Sequence, residues 1–429
     1  MITVLLVVFF VGLLIGIPVA LVMGIATLAA LLADGSLPLV LLPQRLFSGI
    51  DSFPMMAIPF FILAADLMTG GKLTDLLIHF ANCLVGHIRG GLGHVNVLVS
   101  MLFAGISGSA LADAAGAGAI EMTMMRKAGY DPYYAGSLSA ATAVIGPIIP
   151  PSILMVIYAL TDGKTTVMGL FLAGVVPGLM LGGVLMAMNH VISVRRGYRF
   201  ASARPSLLEI VKSFFGALPA MLMPLIILGG ILAGIFTATE AAAVAVAYSL
   251  LVGFFWTRAL TLKNLPRIVL RSGMVISSVL LVVSMGTAFS FILTYAQVPQ
   301  KVAMWVGGLT DNRILILLLV MLVTLITGMF VDTLPALIIL VPVLAPVAVQ
   351  FGNHPLQVAM IIVLTLAVGM LTPPVAPLLF VISSVGGLKF ERLSISVLPL
   401  LVAEIVVILL LVIFPVLSTG LPKLLGFIQ

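Results

Sequence analysis

Runs of about twenty apolar residues recur along the chain: Val4–Leu32, Val167–Met188, Leu218–Ile235, Val275–Leu293 and Ile395–Leu417. A helix of that length crosses the ~30 Å hydrocarbon layer of a bilayer, so each run predicts a membrane helix. Two regions break the pattern. The stretch GISGSALADAAGAG, Gly105–Gly118, lies between the apolar arms Val95–Ala104 and Ala119–Met125. Ten helical residues rise only about 15 Å, half a bilayer, so neither arm spans and the segment is expected to enter and return as a re-entrant hairpin. The arms Ile314–Ile326 and Ala336–Val349, around TGMFVDTLP at Thr327–Pro335, predict a second hairpin.

After each hairpin comes a helix interrupted at its centre by glycine and a proline pair, GPIIPPS from Gly146 and GMLTPPVAP from Gly369. Proline removes a backbone donor and clashes with the preceding turn, so carbonyls within Gly146–Pro151 and Gly369–Pro374 are left without helical partners. The two motifs lie 223 residues apart, and the same offset pairs Pro150 with Pro373, Pro151 with Pro374, Pro132 with Pro355 and Gly105 with Gly328. Matches at residues that dictate backbone shape imply two copies of one fold. The first copy is residues 1–212, with its hairpin at about 92–128 and broken helix at about 133–160; the second is 213–429, with hairpin at about 314–350 and broken helix at about 356–385.

Composition supports the membrane reading. The chain of 429 residues is 62% hydrophobic and 8% charged, where a soluble domain carries about 25% charged residues. Its first apolar run lacks a basic flank and is too long for a cleaved signal peptide, so it is read as a retained membrane helix. The single cysteine, Cys83, excludes an intramolecular disulfide. A net charge of +6 does not point to nucleic acid, because the positive residues sit in short loops. There they set orientation: Arg195, Arg196, Arg199, Arg204 and Lys212 form one cluster, and Arg258, Lys263, Arg267 and Arg271 another. Both are expected to be cytoplasmic, separated by two crossings that turn near Phe236–Glu240, which places the Thr161–Thr166 loop outside. The first hairpin, flanked by Arg89, Arg126 and Lys127, then has a cytoplasmic base, whereas the second, flanked by Asp311, Arg313 and the Phe351–His354 turn, has its base outside. The copies are therefore inverted, and their tips meet near the midplane. The expected fold is an all-α polytopic membrane protein of inverted-topology repeats, each with a re-entrant helical hairpin and a broken transmembrane helix.

Irregular backbone at membrane depth survives only inside protein or against a polar cavity. Hydroxyls and free carbonyls suit a hard monovalent cation, and half-helix N-termini suit a carboxylate. The candidates are Ser107, Ser109 and the Gly146–Pro151 carbonyls in one copy, and Gly328, Asp332, Thr333 and Gly369–Pro373 with Thr372 in the other. An acid within a membrane segment is a functional candidate by default, which favours Asp332, whereas Asp113 is expected mainly to cap the returning half-helix. Glu121 is expected to pair with the nearby basic exit, and Glu240, after Thr237, to cap a helix. The histidines at 79, 87, 94, 190 and 354 are placed near segment ends.

The pairing of GISGSALADAAG with GPIIPPS and of GMFVDTLPA with GMLTPP, together with GIFTATEAAAVA at Gly234–Ala245, resembles the large membrane subunit of tripartite ATP-independent periplasmic (TRAP) transporters over essentially the whole chain. The resemblance implies an inner-membrane protein that imports an organic acid, such as a C4-dicarboxylate or a sialic acid, by an elevator movement driven by sodium. It implies a periplasmic binding protein that delivers the substrate and a small four-helix membrane subunit. Carried onto this sequence, it assigns Ser107, Ser109, Gly146, Ile149 and Pro151 to one sodium ion and Gly328, Asp332, Gly369, Thr372 and Pro373 to a second. Ser107, Ser152, Asp332 and Thr333 are the substrate candidates. Glu404, deep in the last long helix, has contact with the small subunit as its one suggested role. No basic residue falls at either tip, so half-helix ends and bound sodium are expected to supply the positive potential for the substrate. Two rivals stand beside this reading. A proton-coupled or stand-alone carrier of related fold would need a titrating group. An intramembrane serine protease built on GISG would need a histidine base within reach of the serine.

Overall fold

A computed structural model of the chain describes residues 1–198 and 205–428, and its regular elements are all helices. Arg199 and Arg204 of the first basic cluster lie outside the described residues. Eight helices among the described residues are long and apolar enough to cross a membrane. The expected single N-terminal helix is instead a pair, Ile2–Leu14 and Val19–Asp34, packed on each other. Pro18, which has no N–H to donate, together with the turn at Gly16, ends the first helix before the apolar run does.

The elements sort into a frame and a core. The frame contains the N-terminal pair, the short helix Leu41–Ser48, the span Phe53–Gly70, and the long helices Leu207–Leu232, Ala238–Trp256 and Leu265–Tyr295. The boundary expected after Lys212 falls inside the helix Leu207–Leu232. The capping box of Thr237 with Glu240 starts Ala238–Leu251, the structural role expected of that acid. Two linking helices, Leu73–Val85 and Val298–Gly307, pack on the first and second hairpins respectively.

The core holds the hairpins, the broken helices and the helices Val167–Arg196 and Phe390–Ile413. The first halves of the broken helices, Pro132–Ala143 and Pro355–Gly369, form its centre, and every residue from Leu356 to Gly369 is buried. A helix that is apolar all round must be enclosed on all sides, and here the other core elements enclose it. In the first copy a closed hydrogen-bond set ties the hairpin to this centre: Asn96 donates to Ser139 at 2.7 Å and accepts from Thr142 at 2.7 Å. Glu404 is also in this interior, with no exposed surface and no hydrogen-bond partner among the described residues. Burial inside the chain removes it from any contact with a separate subunit.

The repeat is visible in the coordinates. The broken helices start at Pro132 and Pro355, and the helices after them at Val167 and Phe390, each pair separated by the same 223 residues. Both proline pairs, Pro150–Pro151 and Pro373–Pro374, are cis. The second half of the first broken helix, Ile153–Asp162, packs on the returning arm of the second hairpin, Thr333–Gln350; Pro377–Gly386 packs reciprocally on the returning arm of the first. Such mutual contacts are those of a two-fold axis.

The hairpin arms are longer than expected. The first rises through Gly91–Ser107 and returns through Ala110–Lys127, kept helical across its small residues by a π-helical stretch at Ala114–Gly118. Alanine supports the helix and glycine tolerates the bulge, so only Gly108 and Ser109 interrupt the chain. The second hairpin has arms Arg313–Phe330 and Thr333–Gln350, broken at Val331 and Asp332. At ~1.5 Å per residue the arms reach about 26 Å, a little short of the ~30 Å layer.

Candidate functional site

The two tips meet. A cavity of about 470 Å³ is lined by Ser107–Ala112 of the first hairpin, Asp332–Pro335 of the second, and Pro147, Ile153 and Met370 at the helix breaks. Gly108 makes the approach possible: its φ is +61°, and a Cβ there would lie 2.8 Å from the Pro151 carbonyl oxygen. In the second copy, a Cβ on Gly328 would sit 2.9 Å from the Leu366 carbonyl oxygen and 3.1 Å from the Gly369 Cα.

The first oxygen cluster forms behind the first tip. The Ser107 hydroxyl donates to Oδ1 of Asp113 and accepts the Ser109 N–H at 3.3 Å. Oδ2 of Asp113 abuts Gly146 and has no hydrogen-bond partner, although Asp113 is buried with 2% of its surface exposed. No donor among the described residues reaches the carbonyls of Gly146, Ile149 or Pro151. A buried carboxylate oxygen, a hydroxyl and free carbonyls are hard oxygen donors, of the kind a hard cation accepts. Of the residues expected here, Ser107 and Gly146 lie against Asp113, and the Pro151 carbonyl lies against Gly108 at the tip. The capping role expected of Asp113 falls to Ser109, whose Oγ accepts the Ala112 N–H at 3.4 Å while the residue lines the cavity.

The second cluster is more open. Gly328 and Gly369 are in backbone contact, the carbonyls of Gly328, Thr372 and Pro373 accept no hydrogen bond, and the Thr372 hydroxyl donates to Val368 at 2.8 Å, leaving its lone pairs free. The Gly369 carbonyl accepts the Thr372 N–H. Asp332 is the N-cap of the returning arm, accepting the Thr333 N–H at 2.7 Å, and its carboxylate faces the cavity instead of being sealed behind it. Thr333 lines the cavity beside it. Ser152 does not. It is fully buried, donating to the Pro147 carbonyl at 2.6 Å and capping Ile153–Asp162 through the Met155 N–H. Glu121 is likewise buried without a partner, and Arg126, expected to pair with it, donates instead to the Gly386 carbonyl.

Two charged residues of the site come from the frame. Asp66 and Arg271 line the same cavity, Asp66 accepting the Ser272 hydroxyl at 2.6 Å. Arg271 forms no ion pair, since the single ion pair among the described residues is Arg196–Asp131. Counting loop charges assigned Arg271 to a turn, but the helix begins at Leu265 with Pro266 in its first turn, so Arg271 lies well inside it. A proline at the start of an apolar run was the available signal. Neither tip carries a basic residue, as expected, but this frame residue lines the cavity they share.

No histidine among the described residues hydrogen-bonds Ser107, whose proton goes to Asp113, which leaves the protease reading without a base. His79 lies mid-helix in Leu73–Val85, away from the end expected for it.

Residues 6–417 match the family described as tripartite ATP-independent periplasmic transporter, DctM component, and the chain belongs to that family. It is 41% identical over 415 residues to the sialic acid TRAP transporter large permease protein SiaM of Vibrio cholerae, covering 96% of this chain and 97% of that protein. It is 39% identical over 382 residues to the C4-dicarboxylate TRAP transporter large permease protein DctM of Pseudomonas aeruginosa, covering 89% of each. Among solved structures it shares its fold with the Alcanivorax borkumensis YdaH transporter, with a TM-score of 0.61 at 14% identity over 89% of this chain and 86% of that one. The chain is thus a large permease subunit, a multi-pass protein of the bacterial inner membrane and not an enzyme.

Proposed function

We propose that this TRAP permease imports an organic acid, a sialic acid or a C4-dicarboxylate, in symport with sodium, after a periplasmic binding protein delivers it and in complex with a small membrane subunit. The observation that carries the reading is the buried, unpartnered carboxylate oxygen of Asp113 against Gly146, with Ser107 on its other oxygen, beside a cavity with Arg271 on its wall. Sodium bound there would neutralise Asp113, so that no net negative charge at the tip repels the substrate. A substrate carboxylate in the cavity then meets the N-terminus of the returning arm Thr333–Gln350 and the Arg271 guanidinium. Gly328, Thr372 and Pro373 would hold the second ion, with Asp332 at its cavity side.

The movement we assign is of the elevator kind. The frame helix Leu265–Tyr295 borders two cavities: its first half, from Arg271 to Val282, lines the one at the tips, and its second half, from Val283 to Thr294, lines another. Sliding the core along this helix from one half to the other is a displacement of roughly 20 Å. The side of the tip cavity follows from the basic loop ahead of Leu265, which makes this the inward-facing arrangement.

The test is uptake into liposomes holding both membrane subunits, with the cognate binding protein and substrate outside. An inward sodium gradient is expected to drive concentrative uptake and a proton gradient alone to drive none. Accumulation on a proton gradient without sodium would replace this mechanism with proton coupling.

A further inference from the structure

The second cavity, about 550 Å³, lies at the far end of Leu265–Tyr295 from Arg271 and has no role in the site described above. One wall is frame: Arg45, Ser48 and Ser52 around the short helix Leu41–Ser48, and Thr287, Ser290 and Thr294 of the long helix. The opposite wall is core: Ile157, Leu160 and Thr161 from the first broken helix, and Ile338 and Pro342 from the returning arm of the second hairpin. Thr161 begins the loop expected on the outer face, so this cavity and the tip cavity flank the long helix on opposite sides of the membrane.

Among the described residues, Arg45 is the only charged side chain on its lining. It is half-buried, has no carboxylate partner among the described residues, and its guanidinium is held over the Phe291 ring at 4.0 Å. Apart from that of Ser52, the hydroxyls around it are already engaged. Those of Thr161, Thr287 and Thr294 donate to carbonyls of their own helices, that of Ser290 to Ile338, and that of Ser48 to the Arg45 carbonyl. The charged donor for an anion in this cavity is Arg45, whose planar fork matches a carboxylate and whose stacking on Phe291 keeps it aimed.

We infer that this cavity is the outer docking place of the transported carboxylate, with Arg45 as its anion-reading group and Arg271 as the corresponding group on the inner side. The inference rests on the transport reading above. A fixed cation at each end of one frame helix gives the substrate a partner at both ends of the core's travel, while the sodium-loaded tip accompanies it between them. Arg45 acts on entry, so it governs how readily substrate passes into the core and not how sodium binds.

The test uses the complex of both membrane subunits with Cys83→Ser and a reporter cysteine at Thr294→Cys. Anionic and cationic methanethiosulfonate reagents of similar size are compared from outside. Arg45 is expected to favour the anionic reagent roughly tenfold, with Arg45→Gln abolishing the preference and Arg45→Lys keeping most of it. In uptake, made without the reporter cysteine, Arg45→Gln is expected to raise the half-saturating concentration of loaded binding protein roughly tenfold with the sodium dependence unchanged, and Arg45→Lys to restore most of it. A reagent preference that survives Arg45→Gln overturns the proposal, as does a lost preference with unaltered half-saturation. If the unsubstituted complex imports nothing on any gradient, the transport reading fails and the docking role fails with it, whatever the reagents report.

Discussion

Replacing Asp113 with asparagine is the most direct test of ion coupling. The substitution keeps the size of the side chain and an oxygen that accepts the Ser107 hydroxyl, and it removes one negative charge from a site with 2% exposure and no cationic side chain bound to it. An unpaired charged acid at the centre of a membrane helix costs about 2.5–3.5 kcal/mol on the insertion scale, so a cation that neutralises it recovers an energy of that order. Without the charge, sodium retains only the hydroxyl and carbonyl dipoles. A loss of about 2–3 kcal/mol is roughly 30- to 150-fold in the sodium concentration that supports half-maximal uptake. Uptake into liposomes with both subunits and the binding protein, titrated with sodium at fixed pH, measures it. Protein yield and thermal unfolding in detergent should stay close to those of the unsubstituted chain, since no packing is removed. Unchanged sodium dependence and rate in Asp113→Asn would refute the assignment of this carboxylate to the ion. Normal rate with a lost dependence on pH would transfer it to proton coupling.

Asp332→Asn is expected to raise the sodium requirement less than Asp113→Asn does, because Asp332 faces the open cavity and asparagine caps a helix as well as aspartate; the same sodium titration compares them. Gly328→Ala places a methyl 2.9 Å from the Leu366 carbonyl oxygen and 3.1 Å from the Gly369 Cα, so it should destabilise the chain by about 1–3 kcal/mol, read as a lowered unfolding temperature, and reduce transport. Arg271→Gln should weaken substrate-dependent protection of a Ser278→Cys reporter in the same cavity, and Arg271→Lys should restore much of it. With Cys83 replaced, a cysteine at Lys164 should react with an impermeant reagent from outside, and one at Arg196 only after permeabilisation; the reverse pattern would contradict the orientation.

Backbone chemistry explains what was legible in the sequence. Gly146, Pro150 and Pro151 dictate local chain shape wherever they stand, and so do their counterparts Gly369, Pro373 and Pro374; the offset between them exposed the repeat, the helix breaks and the free carbonyls. Runs of apolar residues located the spans for a similar reason, since hydrocarbon admits only backbone that satisfies itself. Side-chain partners are different, because they depend on what arrives from elsewhere in the fold. Asp113 and Asp332 are both acids near a hairpin tip, and only packing seals the first behind Ser107 and Gly146 while leaving the second on a cavity wall. Glu404 and Glu121 look like ordinary partners for charges at a surface or helix end, until the neighbouring helices close over them. Arg271 reads as a loop charge because it is near a helix start, and Arg45 carries no signal of its own; the fold sets each on the wall of a cavity that Leu265–Tyr295 also lines. The sequence by itself thus determined where the chain bends and what it is dissolved in. Tertiary structure decided which charges share a site, because charge placement is settled by distances across the fold and the chain order does not contain them.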